Sequence, residues 1–305
     1  MTFPGEQSEL QMTDAEFRMV CELLRKHCGL HFGKESRYVL EKRLARRLRE
    51  LGLTSFASFH FQLRKDDQEL ARVVDLLVTN ETYFFREKNQ LRALFEEILP
   101  ELRRRTPEHP VALWSAGCSS GEEPYTLVML ALAAGLRPGR DLKVYASDIS
   151  RPMLQKARRG IYREASFRQT DPRLRERYFR EKDGQWQIVD GVKKHVDFIH
   201  LNLLDRSKIA LLGSMDVTLC RNVIIYFDTP VKERVIDTFD QKLRPGGYLL
   251  LGHSESLINI SSAFELRHLR HDLVYRKPAP GDSPYDPWHA AAAAAVARVD
   301  AEGKR

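Results

Sequence analysis

The sequence predicts a parallel α/β domain preceded by a small all-helical domain. Three observations lead there. Apolar residues recur at helical spacing between residues 12 and 98, where strand signals are weak. From residue 111 onward, short apolar runs alternate with helical segments. A small-residue, glycine-bearing loop joins the first of those runs to its helix. A chain of 305 residues suits two domains better than one.

In the first domain, Thr13 or Asp14 can cap a helix through Phe17, Val20, Leu23 and Leu24. Leu40, Leu44, Leu48 and Leu51 then mark one helix face, while Lys42, Arg43, Arg46, Arg47 and Arg49 occupy the others. LARVVDLLV at 70–78 continues the pattern, and the helical domain is taken as 12–98. The polar, proline-bearing RRRTPEHP at 103–110 reads as linker, set at 99–110. In the α/β domain (111–277), strands are expected at Val111–Ser115, Lys143–Ser147, Phe198–Leu201, Val217–Cys220 and Tyr248–Gly252. Helices are expected from Glu122 to Ala134, after Asp148 to Arg159, and from Pro230 to Leu243, with Pro245-Gly246-Gly247 as a turn into the last strand. The alternation lapses over 160–197, where Trp186–Val189 and His195–Ile199 are expected to flank an Asp190-Gly191 turn in a small antiparallel insertion. Residues 278–305, with alanines around 290–297, read as a flexible tail or loose terminal helix.

With 43% hydrophobic and 30% charged residues, the composition is that of an ordinary globular protein. No run of ~18 apolar residues offers a membrane span, and the first ten residues lack the pattern of a signal peptide. The expected location is therefore the cytoplasm. Cys21, Cys28, Cys118 and Cys220 form no CxxC pair and read as reduced thiols without metal. The net charge of +7 points to an acidic partner. That excess is local: residues 1–85 balance 13 basic against 13 acidic residues, whereas 151–182 carry 11 against four.

The loop Ser115-Ala116-Gly117-Cys118-Ser119-Ser120-Gly121-Glu122-Glu123 lies at the carboxyl end of the first expected strand, the edge where open α/β sheets bind ligands. Its glycines are spaced GxxxG, so it is neither a dinucleotide GxGxxG nor a P-loop, and alone it can be a tight strand–helix turn. Asp148, ending the second expected strand, can accept from both hydroxyls of a ribose, or can cap the next helix. Together they favour an adenosine-containing ligand. NAD and S-adenosylmethionine both suit that geometry, and the missing fingerprint favours the methyl donor. Asn202-Leu203 and Arg221-Asn222 end further strands on the same edge.

NETYFFRE from Asn80, WSAGCSSGEEPYTL from Trp114, ASDIS from Ala146, GIYR from Gly160, CRNVIIYFD from Cys220 and RPGGYLLLGHSE from Arg244 resemble, in order, the motifs of CheR-type chemoreceptor glutamate O-methyltransferases. The resemblance spans roughly residues 15–277. It implies a helical N-terminal domain and a Rossmann-like S-adenosylmethionine-dependent methyltransferase domain with an antiparallel β-subdomain inserted. It also implies methyl transfer from S-adenosylmethionine to receptor glutamates, giving methyl esters and S-adenosylhomocysteine for sensory adaptation. By resemblance, Asn80, Thr82, Arg86, Gly117, Glu122 or Glu123, Asp148, Asn202, Leu203, Arg221 and Asn222 bind the donor, and Arg86 and Tyr226 lie nearest the methyl group. The arginine-bearing helix (Arg43, Arg46, Arg47) would dock the acidic, helical cytoplasmic domain of a receptor. The implied enzyme is a monomer that takes no nucleic acid and does not enter the membrane. In some relatives the β-subdomain tethers a receptor C-terminal pentapeptide; the short turn Glu181-Lys182-Asp183-Gly184 suggests tether independence here.

Each role also has a plainer reading: Arg86 as an ion pair with Glu87, Tyr226 as packing under a loop, the arginines as a solvated face. A methyltransferase of RNA or small molecules, and a non-catalytic donor-binding scaffold, are the rival functions. An Asn/Asp-Pro-Pro-Tyr/Phe segment expected for amide or base methylation is absent, and the substrate-facing side chains are present.

Overall fold

A computed structural model describes residues 10–282. The tail expected beyond that point lies outside the described residues. Contacts divide the described residues into two units: 10–79 with Tyr226–Asp228, and Asn80–Ile225 with 229–282.

The first unit is helical: α1 Asp14–Cys28, α2 Arg37–Glu50, α3 Phe56–Leu63 and α4 Asp67–Leu77. Thr13 caps α1 through a capping box with Glu16, satisfying two backbone donors reciprocally. Gly29 ends it in the left-handed conformation, which a Cβ would disfavour. On α2, Leu40, Leu44 and Leu48 are fully buried, as their spacing requires, and Leu51 lies just past the helix end. They share a core with Val20, Leu24, Phe56, Phe59, Leu63 and Val73. Residues 226–228 join this unit through a Leu30–Phe227 bridge, His31 N–H donating to the Tyr226 carbonyl (2.9 Å), and an Arg25–Asp228 ion pair.

The second unit begins earlier than the sequence suggested. α5 (Lys88–Ala93), a π-helical segment (Leu94–Ile98) and α6 (Leu99–Arg105) follow without a break. Leu91, Leu94, Ile98, Leu99 and Leu102 are buried in the α/β core, so 80–98 belongs with that core and much of the expected 99–110 linker is helix. The polar composition of Arg103–Arg105 had masked the apolar side of the preceding turn.

Strands β1 (Val111–Ala116), β2 (Leu142–Asp148), β6 (Val196–His200), β7 (Met215–Cys220) and β8 (Leu243–Leu251) pair in parallel in the order β6-β2-β1-β7-β8. β10 (Leu273–Arg276) and β9 (Glu265–His268) add antiparallel to the β8 edge. Helices α7 (Glu122–Ala133), α8 (Arg151–Arg159) and α12 (Thr229–Lys242) connect the strands, with short α9 (Pro172–Tyr178), α10 (Asp190–Lys193) and α11 (Arg206–Ala210) between them. The order reverses between β1 and β7, the switch point at which such sheets open a ligand crevice.

The insertion is a separate three-stranded antiparallel sheet, ordered β3 (Ile161–Tyr162), β5 (Gln185–Ile188), β4 (Phe179–Lys182). Its pairing corrects the sequence reading. Asp190-Gly191 opens α10 instead of a hairpin, and the strand expected at 195–199 is β6, the edge of the main sheet. The Pro245-Gly246-Gly247 turn is absorbed into β8, where Gly246 has φ 77° and the register with β7 shifts.

Candidate active site

At the end of β1 the chain turns through Gly117 (φ 84°), whose N–H donates to the Ser147 carbonyl of β2 at 2.8 Å. A Cβ on Gly117 would lie 2.5 Å from Val223 Cγ2, and one on Gly121 (φ 92°) would lie 2.8 Å from the Ala157 Cβ. Both positions therefore need glycine for conformation and for space. Asp148, nearly buried, binds this loop from β2: its carboxylate accepts the N–H of Ser119 at 2.7 Å and of Ser150 at 2.8 Å. An ionised carboxylate is an acceptor-only group, the type of partner that ribose hydroxyls need. Ser150 is itself the cap of α8, so Asp148 is no helix cap.

The two loop glutamates face different ways. Glu122 turns inward and accepts from Ser120 Oγ (2.8 Å) and Ser166 Oγ (3.1 Å). Glu123 accepts from Ser115 Oγ (2.6 Å) and from Arg221 Nη1 (3.1 Å) at the end of β7. Burial pushes both carboxyls above the ordinary glutamate range, and Arg221 draws Glu123 back. Of the two, Glu123 stands with the other strand-end residues.

Arg221 is a buried hub. Its guanidinium reaches Glu123, the Glu87 carboxylate (3.0 Å) and the Arg86 carbonyl (2.6 Å). It thereby clamps a strained turn: Phe85 (φ 61°) and Glu87 (φ 54°) are left-handed on either side of Arg86. Such residues cost of order 1–3 kcal/mol each and persist only where surroundings enforce them. Glu87 pairs with Arg221 and not with Arg86, so the plain ion-pair reading of Arg86 does not hold. The Arg86 guanidinium instead donates to the Glu81 carbonyl (3.1 Å) and lies 5.5 Å from the Tyr83 ring, whose other cation contact is Arg168 at 3.7 Å.

The segment is anchored from beneath. Phe84 is fully buried among Tyr162, Phe167 and Phe179, at centroid distances of 4.8–5.2 Å. Each such aromatic pair contributes about 0.5–1.5 kcal/mol beyond its burial. Tyr162 of the insertion also donates to the Ser120 carbonyl (2.8 Å), and the Asn80 carbonyl accepts from Ser119 Oγ (3.2 Å). Segment 80–87, the insertion and the glycine loop are thus one packed assembly.

Asn222 follows Arg221 with φ 61°, and its side-chain Oδ1 is buried without a hydrogen-bond partner. Asn202 Oδ1 accepts the N–H of Leu204 (2.9 Å), shaping the loop after β6. Thr82 and Leu203 are half-buried on the same segments. Tyr226 belongs with the helical unit by its contacts, and so do the three arginines. Arg43 donates to the Leu77 carbonyl (2.9 Å) yet stays exposed, Arg47 forks onto the buried Glu69 (2.6 Å twice), and Arg46, 85% exposed with Glu50 beside it, faces solvent. The solvated-face reading therefore fails for Arg47, whereas Arg43 and Arg46 remain on an exposed face. Sequence reasoning offered Glu87 only as a partner for Arg86 and gave no role to Glu255. Glu255 accepts four backbone N–H groups at this edge. No group of metal-ligating side chains occurs among the described residues.

The CheR methyltransferase SAM-binding domain matches residues 80–273, and the CheR methyltransferase all-alpha domain matches 15–78. This chain belongs to the CheR methyltransferase family. Among its CheR relatives, chemotaxis protein methyltransferase 2 of Vibrio cholerae is 38% identical over 280 residues, covering 90% of this chain and 97% of that one. The chemotaxis protein methyltransferase of Escherichia coli K12 is 38% identical over 265 residues, covering 85% and 90%. A solved magnesium protoporphyrin IX methyltransferase from Synechocystis PCC 6803 aligns with TM-score 0.37 and 17% identity over 63% of this chain and 80% of that one, too distant to bear on the site.

S-adenosylmethionine is the cofactor of this enzyme, and the strand-end residues fit it. Asp148 offers carboxylate acceptors and Asn222 an unpartnered buried acceptor, while the donor carries ribose hydroxyls and an ammonium as hydrogen-bond donors. No described helix is long and apolar enough to cross a membrane.

Proposed function

We propose that this CheR enzyme methylates glutamate side-chain carboxylates on the cytoplasmic helical domain of chemoreceptors, for sensory adaptation. The observation that carries the reading is the set of acceptors at the ends of β2 and β7: Asp148 and the unpartnered Asn222 Oδ1 beside the Arg221–Glu123 pair. When bound, the donor supplies a methyl group on a sulfonium. The chain's residues have only to hold and orient: Asp148 the ribose, Asn222 and the Glu123–Arg221 pair the amino-acid end, with Asn80, Thr82, Gly117, Asn202 and Leu203 completing the pocket. A glutamate acceptor has an unperturbed pKa of about 4.3 and is ionised at neutral pH, so no side chain need act as base. Alignment is then the main contribution, about 7–11 kcal/mol in favourable cases.

Arg86 acts by positioning, because a tight pair with the nucleophile would stabilise the ground state and slow transfer. Its engagement with the Glu81 carbonyl and Tyr83 ring supports that role. Tyr226 orients the acceptor through its hydroxyl. Docking on an acidic helical surface rests on the exposed Arg43 and Arg46, since Arg47 is bound to Glu69 within its own unit. The enzyme works as a monomer in the cytoplasm and without a receptor tether. The β4–β5 turn supports the latter, being a two-residue hairpin at Asp183 (φ 53°) and Gly184 (φ 68°).

The test is transfer of labelled methyl from the donor to receptor-enriched membranes, followed by alkaline treatment. Release of labelled methanol is expected. Alkali-stable label, or label in RNA, contradicts the reading. Arg86→Ala and Tyr226→Phe should lower kcat with little change in Tm, and wild-type turnover in both removes their roles.

A further inference from the structure

We propose that Glu255 is a positioning residue for the donor, shaping from a distance the loop that ends β7. Its Oε2 accepts the N–H of Asn222 (2.7 Å) and of Gly252 (2.7 Å), and its Oε1 accepts the N–H of Val223 (2.9 Å) and of Ile225 (3.2 Å). Four backbone donors on one carboxylate bind the loop after β7 to the chain just past β8. Burial raises the carboxyl pKa above the ordinary glutamate range, and those four donors oppose the rise by favouring the charged form.

The consequences reach the donor site by two contacts. Asn222 stands in the left-handed region, and a Cβ on Gly252 would lie 2.6 Å from its Nδ2, so the end of β8 is closed tightly against that side chain. Val223 fills the space that a side chain on Gly117 would need. The carboxylate that fixes the Asn222 and Val223 amides therefore also fixes the unpartnered Asn222 Oδ1 and the width of the glycine loop. Glu255 touches neither methyl group nor acceptor in this scheme. Its work is to hold the acceptor atoms of another residue in place.

This inference rests on the donor lying at the strand ends. Calorimetric titration with S-adenosylhomocysteine tests both, using the full-length wild-type chain, Glu255→Gln and Gly252→Ala. Gln keeps the shape but turns an amide NH2 toward backbone donors, losing charge-assisted bonds worth roughly tenfold or more in affinity. The expected result is a Kd raised about tenfold or more at unchanged stoichiometry, with donor KM rising in parallel and receptor KM unmoved. A merely structural role would lower the stoichiometry and leave Kd alone. If Glu255→Gln does not fold, Gly252→Ala displaces the same Asn222 and should raise Kd likewise. A Kd within twofold of wild type in whichever variant folds overturns the role of Glu255. A wild-type chain that binds no S-adenosylhomocysteine overturns the donor-site reading, and this role with it.

Discussion

The loops after β1 and β7 leave neighbouring parallel strands at the switch point, yet they are shaped by different means. The first is made locally: Gly117 and Gly121 supply left-handed backbone, and the anchoring carbonyl of Ser147 and carboxylate of Asp148 come from the adjacent strand. The second has no glycine. It places Asn222 at φ 61° and is held by Glu255, 33 residues further along the chain. The glycine-built loop carries its left-handed turns in its own sequence and takes only its anchors from Ser147 and Asp148. A carboxylate-built loop carries it in a distant residue, and fails if that residue is lost while its own sequence stays intact.

Variants can break or sharpen this contrast. The largest effect is on stability and lies outside both loops. Arg47→Ala leaves the buried Glu69 with Arg72 alone and should destabilise the helical unit by about 3 kcal/mol, read by denaturant unfolding. Arg47 holds the Glu69 carboxyl below its ordinary value, so this stability is present above the ordinary glutamate range and is lost as pH falls through the lowered folded value. Arg47→Ala should flatten that acid limb, and an unchanged limb contradicts the pairing.

Asp148→Ala comes next, with S-adenosylhomocysteine affinity falling about a hundredfold by calorimetry, because an acceptor and the Ser119 anchor go together. Gly117→Ala should cost about tenfold through its left-handed backbone and the Val223 clash. Adding Val223→Ala should recover part of that loss, and no recovery would uncouple the two loops. The smallest effect belongs to Arg46→Glu: a few-fold rise in receptor KM with donor affinity unchanged, as for a rim charge that steers association.

The same contrast explains what the sequence disclosed. The α2 leucines, the parallel strands and the glycine loop with Asp148 are written in local spacing, and each lies where that spacing put it. The segment 80–98 misled because its partners Tyr162, Phe167 and Phe179 come from the insertion, far along the chain. The strand at 195–199 misled because a short apolar run does not state which sheet it joins. Glu87 and Glu255 were visible as letters inside motifs. Their roles depend on Arg221 and on four backbone amides, which only the fold assembles. Arg47 looked like free surface charge, because nothing local announces Glu69 as its partner.

Where the donor sits is tested most directly by a crystal structure with S-adenosylhomocysteine. The expected structure has the ribose hydroxyls on Asp148 and the amino group on Asn222 Oδ1, giving that buried atom its missing partner. A nucleoside bound elsewhere, with Asn222 Oδ1 still unpartnered and Asp148 out of reach of the ribose, would contradict it.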